Sequence, residues 1–176
     1  MSMVLLYSKL PELAISETRI AKITYNSYNL PNAEFAFFES YCDESNCDCR
    51  RVLINVIEKD DEEIKAVISY GWENIEYYKK RIGDSNSAIE ATIPFLDPLF
   101  KQTEIAENLL ELFKDIILTD EKYIARLKNH YEIFKKYIKE NRNSNDEIRK
   151  KIKISRNALC ICGSGIKYKN CCAKKA

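Results

Sequence analysis

The chain has 176 residues, 45% of them apolar and 31% charged, and a formal net charge of +1. Those totals suit one globular domain with a short appendage, and the lack of any run of about 18 apolar residues excludes a membrane-spanning helix. Charge is unevenly spread: nine of the 28 Lys and Arg residues lie from Arg149 onward with no acid among them, leaving 19 basic against 27 acidic groups in residues 1–148, a net of −8.

The opening MSMVLLYSKLPEL has no basic region ahead of its apolar stretch and no small-residue cleavage site, so a cytoplasmic location is expected. Residues 1–32 fit a short helix or a strand before Pro31. AEFAFFESY (33–41), RVLINVIE (51–58) and EIKAVISYGW (63–72) read as strands, being aromatic-rich, rich in branched residues and partly alternating in turn. KDDEE is a connection of hairpin length, which predicts an antiparallel meander. ENIEYYKKRIG predicts a short helix ended by Gly83, and DSNSAIEATIPFLDP a connection broken by Pro94 and Pro98. Ile105, Leu109, Leu112, Phe113, Ile116 and Ile117 then recur at helical spacing, as do Ile124, Leu127, Tyr131, Phe134 and Ile138. Thr119 is the expected N-cap between the two, with Leu118 and Tyr123 as a hydrophobic staple. The fold class expected is therefore α+β, a small antiparallel β meander packed against an antiparallel helix pair, with a C-terminal zinc-knuckle appendage. Residues 1–140 form the body, 141–154 a charged linker and 155–176 the appendage.

All seven cysteines fall in two clusters. An odd number in a reducing compartment points to thiolate metal ligands instead of a closed set of disulfides. In the tail, Cys160-x-Cys162 and, after eight intervening residues, Cys171-Cys172 form two close pairs that a tight loop can wrap around one tetrahedral Zn²⁺. Gly163 and Gly165 supply the freedom to turn sharply after the first pair. Four protein ligands leave no open position, so this zinc is structural, and a segment with almost no core takes its folding energy from the metal. The first cluster, Cys42, Cys47 and Cys49, offers three ligands of a second zinc site. Its fourth is Asp43, Asp48, a water or the single histidine, His130, which shares a helix stripe with Leu127 and Phe134.

RNALCICGSGIKYKNCC closely resembles the SEC-C motif, a zinc-binding module also found at the C-terminus of the preprotein translocase ATPase. Arg156, Asn157, Gly163, Ser164, Gly165, Lys167, Tyr168 and Lys169 all fall on its pattern, whereas Ile161 stands where a proline is usual. The resemblance implies an appendage that contacts other macromolecules, with Ile161, Ile166, Lys167, Tyr168 and Lys169 as the contact residues. More loosely, the body from about residue 40 to 137 resembles a bacterial group of SEC-C-containing proteins through YCDESNCDCRR, YGWEN and RLKNHY. That resemblance treats the three cysteines and His130 as one unit.

No catalytic set can be assembled. Three cysteines, a zinc-bound water and a nearby glutamate such as Glu39 or Glu44 would suit a zinc-dependent hydrolase or deaminase, but the His-x-Glu and Pro-Cys-x-x-Cys signature is missing. Gly-Ser-Gly lacks P-loop spacing, and one histidine offers little acid–base chemistry. The expected function is a non-enzymatic zinc protein whose tail binds another protein. RNA or ribosome binding through the basic tail is the alternative, with Tyr168 available to stack.

Overall fold

The computed structural model describes residues 2–151, 155–160 and 164–171. They fall into two compact units, Met1–Ile138 and Lys139–Ala176. The first is a mixed sheet-and-helix body, α+β as expected. Its strands β3 (Glu34–Cys42), β4 (Arg51–Glu58) and β5 (Ile64–Gly71) form an antiparallel meander at the positions read from the sequence.

The undecided N-terminal segment contributes both kinds of element. It forms β1 (Met3–Leu5), helices α1 (Leu6–Lys9) and α2 (Pro11–Glu17), and β2 (Arg19–Lys22). Pro11 stands in the first turn of α2, where a missing N–H costs nothing. Both strands pair antiparallel with the free edge of β3: β2 takes its first half (Ile20 opposite Ala36) and β1 its second (Val4 opposite Tyr41). A two-residue strand, β6 (Phe95–Leu96), closes the far side against β5.

On one face of the sheet, Phe35, Phe37 and Tyr41 of β3, Val52, Ile54 and Val56 of β4, and Ala66, Ile68 and Tyr70 of β5 are all buried. The pleat sends alternate residues to the same side, so these nine make one continuous apolar surface. Helices α5 (Ala106–Thr119) and α6 (Glu121–Lys151) cover it. Phe113 of α5 lies 5.9 Å from Phe37 and 6.2 Å from Tyr70, ring centre to ring centre, and Phe134 of α6 lies 5.7 Å from Tyr41. Each large side chain so buried contributes roughly 1.5–3 kcal/mol.

Two local expectations are corrected. Thr119 is the last residue of α5, its hydroxyl donating to Asp115 O. The cap of α6 is Asp120, whose carboxylate accepts from the Tyr123 N–H at 3.0 Å. The stretch before Pro94 is also more than a connection, for it holds α4 (Ser85–Glu90), capped by Asp84. It follows α3 (Ile75–Ile82), which Asn74 caps and Gly83 ends in the left-handed conformation at φ 80°.

The second unit begins within α6, which runs through the polar stretch to Lys151. Beyond it, Leu159 bridges Lys167 in an antiparallel pair, Cys160 N–H donates to Ile166 O at 2.8 Å, and Tyr168–Asn170 form a 3-10 turn.

Candidate metal centre

Strand β3 ends at Cys42 and β4 begins at Arg51, so the eight residues between them make a hairpin connection carrying Cys47 and Cys49. The loop returns both thiols to the strand end, and the ligand sulfurs of Cys42, Cys47 and Cys49 lie within 4.8 Å of one another. Four tetrahedral zinc bonds of ~2.3 Å place sulfurs well inside that separation. Cys42 and Cys49 are buried and Cys47 is half-buried. Burial, and then the neighbouring Cys47 and Cys42, push the Cys49 thiol up to about 12, and burial also raises Cys42. A metal ion reverses this preference, because its charge stabilises the thiolates that burial disfavours.

The loop is held in place from two helices. From α3, the Tyr77 hydroxyl and Arg81 Nε both donate to Asp48 O, the latter at 2.8 Å, and the Tyr78 hydroxyl donates to Arg50 O at 2.8 Å. Arg50 and Arg81 also lie over the Tyr77 ring, at 5.0 and 4.2 Å from its centre. From α6, Lys135 Nζ donates to Glu44 O at 2.6 Å and to Cys42 O at 3.3 Å. Arg50 itself sits at φ 47°, a left-handed conformation that such contacts must hold against its cost. The Asp48 carboxylate accepts from Arg50, Arg81 and Tyr131. Burial acts the other way, yet Arg50 first and Tyr131 among the others hold that carboxyl below its usual range. Asp48 is thus committed to the loop's frame.

His130 is fully buried, and the structure does not bring it to the thiols. Its Nδ1 lies 2.7 Å from Glu39 Oε2 and its Nε2 lies 3.2 Å from Glu17 Oε2. Glu39 occupies the helix-facing side of β3 between Phe37 and Tyr41, and the Tyr41 hydroxyl donates to it at 2.7 Å. Burial pushes the His130 pKa down, but the hydrogen bond to Glu39 and the charges of Glu39 and Glu17 overcome it, for a net rise. The expected Cys₃His grouping is therefore corrected: both ring nitrogens are already engaged by carboxylates, and the same contacts turn Glu39 away from any proton-shuttling role at the thiols.

In the tail, Cys160 is buried and Cys171 half-buried, with Ser164 Oγ 3.3 Å from Cys171 Sγ. Gly165 takes φ 70° at the turn, as its expected role requires. Cys162, Cys172 and Ile161 lie outside the described residues, so of the four expected tail ligands only Cys160 and Cys171 are described. Of the expected contact residues, Ile166 and Lys167 are exposed, while Tyr168 and Lys169 are half-buried.

The three thiols of the α+β body are grouped so that they could hold a metal ion. Residues 156–174 match the family model of the SEC-C motif. No curated protein and no solved structure matches the chain. The motif match and the Cys42/Cys47/Cys49 cluster are both consistent with a zinc-binding protein. Among the described residues no helix is long and apolar enough to cross a membrane.

Sequence reading grouped the three thiols of the first cluster but missed the residues that hold its loop. Tyr77, Tyr78, Arg81 and Lys135 lie 28 or more positions from the loop residues they hold, at no diagnostic spacing. Glu39 did carry a signal: a carboxylate in the buried register of an aromatic strand needs a partner, and the one histidine supplies it.

Proposed function

We propose that this is a non-enzymatic, cytoplasmic zinc-binding protein that holds two zinc ions and whose C-terminal SEC-C module contacts another protein. The observation that carries the reading is the motif match over residues 156–174, joined to a body with its own three-thiol cluster. Zinc in the tail is ligated by Cys160, Cys162, Cys171 and Cys172, and zinc in the body by Cys42, Cys47 and Cys49. Ile161, Ile166 and Tyr168 form the apolar centre of the contact, with Lys167 and Lys169 at its rim. A hydrolase or deaminase reading of the body site is the weaker one, because Glu39 is spent on His130 and Asp48 on two arginines.

The basic run from Arg149, with nine Lys and Arg and no acid, favours RNA as the second reading. Salt separates the two. Capture of a partner by the full chain, compared with a chain lacking residues 155–176, is measured at low and at moderate ionic strength. A protein contact built on apolar burial persists with little change, whereas a phosphate contact weakens with a log–log slope near −0.7 to −0.9 per phosphate. A tail whose removal alters no interaction sinks both readings and leaves the module as a structural clamp.

A further inference from the structure

The body cluster differs from the tail in having three thiols. Among the described residues, no fourth Cys, His, Asp or Glu ligand atom joins Cys42, Cys47 and Cys49 within their 4.8 Å grouping. Asp43 does not join that grouping, and the two other internal candidates are bound elsewhere. His130 is clasped by Glu39 and Glu17, and the Asp48 carboxylate is shared by Arg50, Arg81 and Tyr131. The loop is also anchored by its backbone carbonyls at Cys42, Glu44, Asp48 and Arg50. Bringing His130 or Asp48 to the thiols would therefore require breaking several of these bonds together.

Zinc centres with four protein ligands are closed, whereas those with three keep a position for an outside donor. Solvent reaches this one from the side of Cys47, the half-buried member of the three. The charge sum suits such a donor. Three thiolates and a divalent ion leave −1, and the Lys135 ammonium, which donates to Glu44 O at 2.6 Å and Cys42 O at 3.3 Å, stands against the same loop to offset it. Three sulfur ligands also make the ion soft, which favours a fourth donor of the same kind.

Resting on the reading of Cys42, Cys47 and Cys49 as a metal site, we infer that its fourth coordination position is open and is filled by a monodentate sulfur donor from outside the chain. A low-molecular-weight thiol displaces solvent, gives up its proton and completes a four-sulfur shell. The body site is thus a thiol-binding site, while the tail site is closed.

The test uses the full-length chain with Cys160, Cys162, Cys171 and Cys172 replaced by Ser, so that only the body site binds metal, loaded with Co²⁺ as a spectroscopic substitute. The sulfur-to-cobalt charge-transfer band reports the three thiolates, and the visible bands report the fourth position. Titration with 2-mercaptoethanol is expected to shift and strengthen the visible bands saturably while imidazole does not. Visible bands that neither ligand changes would overturn the inference, since the shell would then be closed from within. A response to imidazole alone would overturn the sulfur preference. Absence of the charge-transfer band before any addition defeats the underlying metal-site reading instead, so the two failures are distinguishable.

Discussion

His130 illustrates how one side chain can be fixed by charge instead of metal. It is fully buried between Glu39 of β3 and Glu17 of α2, and its pKa is raised. A histidine held above its unfolded value contributes stability that is fully present below the ordinary histidine pKa and lost as pH rises through the folded one. His130→Gln leaves Glu39 buried without its cationic partner, at a cost of about 3 kcal/mol, or on the order of 5–10 °C in Tm for a chain of this size. The Tm gap between parent and variant is expected to be wider at about pH 6 than at about pH 9. Thermal unfolding at the two pH values checks this, and a gap that stays constant would show that His130 acts as a neutral hydrogen-bonding residue.

At the scale of elements, helix α3 serves the thiol loop more than the sheet. Its N-cap Asn74 and C′ residue Gly83 fix its length, and its Tyr77, Tyr78 and Arg81 all reach residues 48–50. Gly71, at the end of β5, makes room for this arrangement, because a side chain there would collide with the Tyr78 hydroxyl and the Ala91 carbonyl. Outer contacts of this kind orient metal ligands without touching the metal, and losing them typically costs 10–100-fold in affinity. The double variant Tyr77→Phe, Arg81→Ala is therefore expected to weaken zinc retention at Cys42, Cys47 and Cys49 by about that factor. Competition with a chromophoric chelator measures it. Unchanged retention would mean that the loop holds its shape without α3.

For the whole molecule, the two cysteine clusters should separate cleanly in their effects. Replacing the four tail cysteines by Ser is expected to remove about one zinc per chain and leave the melting of the body unchanged, since a module of this kind takes its folding energy from its own metal. Replacing Cys42, Cys47 and Cys49 by Ser is expected to remove a second zinc and to lower the Tm of the body, because the loop they close connects β3 and β4 and is gripped by α3 and α6. Metal analysis with calorimetry on both variants checks the pair. Equal zinc content in parent and tail variant would exclude the tail as a metal site.

Much of this was legible in the sequence because the signals are local. Alternation and branched residues marked β3, β4 and β5, helical spacing marked α5 and α6, and a tail of about twenty residues carried its motif within one continuous stretch. Short spacing also joined Cys42, Cys47 and Cys49, since a hairpin loop returns its ends to one place. Elements too short to show a period stayed hidden: β1, β2 and β6 have two to four residues each and exist only because a longer strand offers them an edge. The fate of His130 was likewise beyond reach of spacing. Its helix stripe pointed correctly at the sheet, but which sheet residue it met depended on strand register, and register set it opposite Glu39 instead of the thiols at the strand end. Local periodicity determines which residues face inward; only the tertiary fold decides which of them touch, because contacts between distant segments follow from packing and pairing that no single segment encodes.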